Sequence, residues 1–306
     1  MRNSDLLIAH KWDFASGRAL ARDYFELGKP RVVVVMLVCA AVGMALSVPG
    51  VPDPVTALLG LLGIGMASMG AAAFNHLLDQ RLDKLMLRTS RRPVAEGRVK
   101  SWQAALYALA LSISGISLLW IEVNPLTALL TAGALLGYAV VYTAFLKWAT
   151  PQNITIGGLA GAAPPLLGWT AMTGQLHADA LLLVLIIFAW TPPHFWALAI
   201  HKKEEYAKAG VPMLPVTHGN EFTRLQIWLY GWLTVAATLM PVASGMSSWI
   251  YLGGALLLNI KFMYYNWKVW KGDDPTAPLS AFWFSIRYLL YLFCWLLFDH
   301  YFFLVV

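Results

Sequence analysis

Residues 55–74 read VTALLGLLGIGMASMGAAAF, an uncharged run that stops at a polar stretch: Asn75-His76-Leu77-Leu78-Asp79-Gln80-Arg81-Leu82-Asp83, then Arg88-Thr89-Ser90-Arg91-Arg92-Pro93. About twenty apolar residues are what a helix needs to cross a bilayer's hydrocarbon core. Working outward, comparable stretches recur at 31–48, 102–121, 125–146, 153–173, 179–200, 222–243, 247–266 and 281–304. Strands of a transmembrane barrel are about ten residues long and alternate in polarity, so these lengths exclude one. The expected fold is all-α: a polytopic transmembrane bundle of nine spans around a central cavity.

Composition agrees. The chain of 306 residues is 59% hydrophobic and 12% charged, against about 25% charged in soluble domains. The basic residues assign its orientation. Arg2, Lys11, Arg18, Arg22 and Lys29 precede the first span, and seven Lys or Arg lie between Arg81 and Lys100. Lys147, Lys202, Lys203, Lys208, Arg224, Lys261, Lys268 and Lys271 fall on the same side of a nine-span drawing. The opposite loops hold Asp53, Glu122 and Asp179 and no Lys or Arg. The N-terminus is therefore expected in the cytoplasm and the C-terminus outside. A cytoplasmic tail, 1–30, leads into a single membrane domain, 31–306, whose inner loops 75–101 and 201–221 carry the site. The net charge of +6 reflects this topology and anionic headgroups, and calls for no nucleic-acid partner. The acidic, polar first thirty residues do not read as a signal or transit peptide and favour a bacterial inner membrane. Cys39 and Cys294 read as small apolar residues.

The chemistry gathers at 75–93. Asn75, Asp79 and Asp83 are spaced i, i+4, i+8 and share one face of a helix. Magnesium prefers such oxygen ligands and shares one or two carboxylates with substrate phosphates. Arg88 and Arg92 suit phosphate oxygens. The bland reading is a solvated helix end paired with Arg81, Lys84 or Arg88. His76 lies among the acids and reads as a loop histidine. Tyr138, Tyr142 and Lys147 close the fourth span; Lys147 either snorkels or reaches into the cavity to hold a diphosphate. Pro164-Pro165 and Thr191-Pro192-Pro193 are expected to bend their spans. His194 is an ionisable group inside a span and so marks a functional site. Glu204 and Glu205 either hold a second metal or pair with Lys202, Lys203 and Lys208. The aromatic residues, 13% of the chain, form interfacial belts, and some would suit a flat macrocycle. Arg287 is read as snorkelling, with an acidic substrate group such as a propionate as the alternative.

The motif Asn75-x-x-x-Asp79-x-x-x-Asp83, with Met86-x-Arg88-Thr89 and Arg92-Pro93, resembles the first aspartate-rich motif of the UbiA superfamily of intramembrane prenyltransferases. Gly28-Lys29-Pro30-Arg31, the Gly/Pro-rich run from Ile156 to Trp169, Pro192-Pro193-His194-Phe195-Trp196, and Gly210-Val211-Pro212-Met213-Leu214-Pro215 are similar to its haem-farnesylating branch. The resemblance implies transfer of farnesyl from farnesyl diphosphate to a vinyl group of haem b, with water added, giving haem o and diphosphate. It implies one or two Mg2+ on Asn75, Asp79 and Asp83, with Glu204 and Glu205 at the second. Arg88, Arg92, Tyr142, Lys147 and Lys202 would hold the diphosphate, and His194 with Trp196 the haem. Haem b, farnesyl diphosphate and membrane lipids are the expected partners, with a haem A synthase or a terminal oxidase downstream. Many relatives carry a second Asp-x-x-x-Asp motif, which is absent here. The rival readings are a prenyltransferase for a quinone or chlorophyll precursor, a transporter, and a non-catalytic haem-carrying assembly protein.

Overall fold

A computed structural model describes residues 14–87 and 89–305, with side chains from 17 to 302. The first thirteen residues of the tail and Arg88 therefore lie outside the described residues. Helices make up the architecture, in this order: α1 Phe14–Leu27, α2 Pro30–Leu46, α3 Pro54–Leu78, α4 Gln80–Asp83, α5 Ser101–Leu118, α6 Pro125–Leu136, α7 Lys147–Ala149, α8 Asn153–Ala162, α9 Pro164–Thr173, α10 Ala178–His201, α11 Lys203–Lys208, α12 Leu214–Thr217, α13 Gly219–Ala243, α14 Trp249–Lys271 and α15 Ala277–Val305. Wider π turns extend α5 over Leu119–Val123 and join α6 to α7 over Gly137–Leu146.

The helix starts are written in the sequence. Asp53 accepts from Thr56 N at 2.8 Å ahead of Pro54, and Asn124 accepts from Thr127 N at 2.9 Å ahead of Pro125. An Asx residue satisfies an orphan N–H and proline supplies the first helical φ. Among the described residues, six helices are long and apolar enough to cross a membrane, or seven if the pair α1–α2, bent by 50°, counts as one span. Every stretch expected to span is helical. The stretch 153–173 is interrupted at Ala163 by Pro164-Pro165, as the double proline dictates. The stretch 247–266 is diluted by Asn259, Lys261 and Asn266. Pro192 and Pro193 do not break their helix: α10 runs through them without interruption. Their turn is buried against its neighbours.

Close approach of backbones sets the packing. A Cβ on Gly43 would lie 2.0 Å from Pro165 O, and one on Gly168 would lie 1.9 Å from Ala40 O. Only glycine lets α2 and α9 cross this tightly. Beneath the polar loops, Leu82 and Met86 pack in one apolar cluster with Trp196, Tyr206, Val211, Met213, Leu214, Val269 and Ala277. The inner loops that follow α3 and α10 thus lie against each other, at the end of the bundle where α3 finishes.

Candidate active site

Asp79 ends α3 and opens the one-turn α4. The backbone bonds Asp79 N→Asn75 O (2.9 Å) and Asp83 N→Asp79 O (2.8 Å) carry the helical repeat through the junction. Asn75, Asp79 and Asp83 are each at most 4% exposed, so the solvated helix end is not what the structure shows. Buried carboxylates need partners, and three elements deliver them. Lys147, on α7, donates to Asp79 Oδ2 at 2.7 Å. Arg92 Nη1 contacts both oxygens of Asp83 at 2.8 Å. Lys29 donates to Asn75 Oδ1, and its ammonium lies 3.5 Å from the Tyr138 hydroxyl. Asn75 Nδ2 donates to Asp79 Oδ2 (2.9 Å) and to Thr143 Oγ1 (3.2 Å).

Two features of this network have chemical weight. Lys29, between α1 and α2, is the one described non-glycine residue with positive φ, at 47°. Such backbone is strained and persists where the surroundings demand it. Burial, with the Arg92 charge adding to it, pushes the Lys29 ammonium down to about 7. The second feature is an orphan: Asp79 Oδ1 is buried without a hydrogen-bond partner, and so are both ring nitrogens of His76. An unsatisfied buried acceptor costs about 1–3 kcal/mol, which a cation would offset. Among the described residues no three His, Cys, Asp or Glu side chains come together as a metal-binding group. The donors present are two carboxylates and one carboxamide.

The family model for the UbiA prenyltransferase family matches residues 36–297. The chain belongs to this family. Protoheme IX farnesyltransferase of Marinobacter nauticus is 57% identical over 280 residues, 92% of this chain and 93% of that protein. Protoheme IX farnesyltransferase 1 of Pseudomonas putida is 59% identical over 285 residues (93% and 96%), and the protoheme IX farnesyltransferase of Azotobacter vinelandii is 59% identical over the same length (93% and 95%). Among solved structures, one reported for digeranylgeranylglyceryl phosphate synthase superposes with TM-score 0.78 at 18% identity, over 92% of this chain and 99% of that one. A UbiA homologue from Archaeoglobus fulgidus bound to GPP and Mg2+ superposes with TM-score 0.61 at 20% identity, over 90% and 99%. At these identities the likeness to solved structures shows the fold.

In this UbiA prenyltransferase the remaining expected residues divide. Tyr142 stacks on Tyr138, centroids 5.8 Å apart, and its ring presses on Gly157, where a Cβ would come within 2.2 Å. The wide π turns of Gly137–Leu146 aim Tyr138 and Thr143 at the acids; such turns are common at functional sites. Lys202 pairs with Glu205 at 2.7 Å, both half-exposed, and Glu204 is exposed. His194 is clamped between Trp190 (4.3 Å) and Phe282 (4.5 Å). Its Nδ1 meets Ser285 Oγ at 2.7 Å while that hydroxyl donates to Phe282 O, so Nδ1 is the donor and Nε2 keeps its lone pair. Trp196 is fully buried in the cluster under Leu82 and Met86. The packing gives it the work of supporting the aspartate loop.

Sequence reasoning named Lys29 and Tyr138 without joining them to Asn75, and missed Thr143. The available signal was Lys29 directly before Pro30, a cation placed where one helix must stop and another begin.

Proposed function

We propose that this chain transfers a farnesyl group from farnesyl diphosphate to a vinyl group of haem b, with addition of water, giving haem o and diphosphate. Two supports combine: relatives 57–59% identical along nearly their whole length carry the name protoheme IX farnesyltransferase, and a buried asparagine–aspartate–aspartate row is ringed by Lys29, Arg92 and Lys147. The observation that carries the reading is the bare Asp79 Oδ1 in this ring.

Asn75, Asp79 and Asp83 would hold Mg2+, an ion that favours oxygen ligands and shares carboxylates with substrate phosphates. When bound, the ion withdraws charge from the diphosphate and so eases departure of the leaving group. The protein's own residues do the rest. Lys147 and Lys29, which donate to Asp79 and Asn75, would lend their ammonium groups to the diphosphate. Arg92, held by Asp83, offers its remaining N–H groups to phosphate oxygen. The bond between farnesyl C1 and the diphosphate oxygen breaks, and the haem vinyl carbon bonds to C1. Water captures the cation left beside the porphyrin and loses a proton. Arg88 joins the diphosphate side by its place in the motif. His194, with Nε2 free of the Ser285 bond, orients the macrocycle. Lys202, Glu204 and Glu205 serve as an outer rim: Lys202 holds Glu205 Oε1, Glu205 Oε2 has no hydrogen-bond partner, and Glu204 is exposed.

The chain sits in a bacterial inner membrane with nine crossings, the N-terminus and the acids on the cytoplasmic side and the C-terminus outside. The complete sorting of Lys and Arg supports this. Its product would pass to an enzyme or oxidase that consumes haem o. The test incubates the purified full chain with haem b, farnesyl diphosphate and Mg2+ and weighs the porphyrin. A mass gain of a farnesyl group plus a hydroxyl, abolished by EDTA, is expected. An unchanged porphyrin from folded protein, or product formed in EDTA, contradicts the reading.

A further inference from the structure

The bundle carries a groove of about 350 Å3 between α14 and α15, walled by Leu258, Tyr291, Cys294, Trp295 and Phe298. Tyr291, Cys294 and Phe298 are exposed along it, so it opens away from the protein core. Helical register extends the wall by one turn at one end. Arg287 lies four residues before Tyr291 on α15, and Lys261 three residues after Leu258 on α14, spacings that share a helix face. The Lys261 ammonium lies 5.5 Å from the Phe284 ring centroid, and Phe284 is one turn from Arg287. The two cations therefore stand near one level, on one flank of the groove.

Both are exposed, and neither has a carboxylate partner among the described residues. Each is set back from the end of the bundle that holds Asp79. Lys261 lies ten residues before Lys271, and Arg287 ten after Ala277, about 15 Å along either helix. A cation facing hydrocarbon costs about 3 kcal/mol or more, which snorkelling recovers in part. Two at one level, over an aromatic wall, match a dianion whose body is flat and apolar. A phosphodiester headgroup offers one charge and no flat body. From Arg287 to Phe298 the wall is about 16 Å long, enough for a porphyrin and its side chains.

We propose that this groove docks haem on the lipid-facing surface, its two propionates on Arg287 and Lys261 and its macrocycle against Tyr291, Trp295 and Phe298. The proposal rests on haem being the prenyl acceptor, and makes this groove an entry seat on the membrane side that the macrocycle leaves for His194 before transfer.

The chain supplies its own reporter. It has two cysteines; Cys294 is exposed in the groove and Cys39 is buried. Alkylation of the full chain by N-ethylmaleimide, read by mass spectrometry, is expected to slow at Cys294 by about tenfold with haem b, and hardly at all with its dimethyl ester, which lacks the charges. Arg287→Gln and Lys261→Gln should each raise the haem concentration giving half-protection by about fivefold or more. Equal protection by the ester, equal protection by phosphatidylglycerol, no protection by haem, or an unmoved half-protection point in Arg287→Gln would overturn the proposal. The same samples are assayed for haem o. Protection without product leaves the docking site standing and removes the transfer reading. Product without protection does the reverse.

Discussion

Two ends of the bundle hold buried aspartates wired in opposite ways. At the far end, Asp299 is 2% exposed and accepts from Ser248 N at 2.8 Å, Tyr251 N at 3.0 Å and the Ser248 hydroxyl. Both its oxygens are used, all donors are neutral, and the result is a cap for the first turn of α14 supplied from α15. At the near end, Asp79 is 4% exposed, has a lysine on one oxygen, and leaves the other bare. Residue type and burial are the same. Asp299 completes a structure, whereas Asp79 leaves one oxygen unpaired beside a buried ammonium. Burial alone therefore does not mark a reactive carboxylate, and neither does one bare oxygen, which Glu205 also has on the half-exposed rim; the two together, in a ring of cations, set Asp79 apart.

The sharpest way to break this contrast is to neutralise both ends. Asp79→Asn should lower turnover of the folded protein by about 100-fold or more, the scale of losing a main electrostatic contact in a transition state, and should also lower the thermal midpoint in detergent because Lys147 loses its carboxylate. An Asp79→Asn enzyme with near-normal kcat would place the chemistry elsewhere. Lys147→Met comes next. It should reduce kcat/KM for farnesyl diphosphate by about tenfold to 100-fold. Because Lys147 and Asp79 touch, the double variant should fall well short of the product of the two single effects; full additivity in a kinetic cycle would show that they act independently. Asp299→Asn should do the converse. The amide can donate but accepts through one oxygen, so the variant should lose about 1–3 kcal/mol of stability, seen as a lower unfolding midpoint, while the turnover of folded protein stays within about twofold. A catalytic defect there would erase the distinction between the ends.

Much of this was legible in the chain and some was not, for physical reasons. Apolar length fixes where helices can lie, and Asx-Pro pairs fix where α3 and α6 begin, because both are local. The row Asn75, Asp79, Asp83 was legible because one helix spaces it. Lys29 was not: its contact with Asn75 spans 46 positions and depends on a strained turn between α1 and α2. Thr143 was hidden for a related reason, since π turns shift the register that a regular helix would give. His194 and Trp196 looked alike in sequence. Packing separated them, leaving His194 with a free ring nitrogen between two aromatic faces and sealing Trp196 in a core that buttresses the aspartates.

The smallest effect concerns a second lysine. Lys147 and Lys202 both follow a long apolar helix, and both were expected at the diphosphate. Lys147 is 9% exposed in its side chain and bonds a carboxylate 5% exposed; Lys202 is 31% exposed and bonds Glu205 at 23%. A half-exposed pair is screened by water and contributes about 0–1 kcal/mol, so neither partner is left costly when the other goes. Lys202→Gln should therefore change kcat/KM by less than about threefold, and Glu205→Gln likewise. The measurement is a farnesyl diphosphate titration at saturating haem, run beside Lys147→Met. If Lys202→Gln instead matched Lys147→Met, the rim would belong to the diphosphate site, and the pairing of Lys202 with Glu205 would be a resting state that substrate breaks.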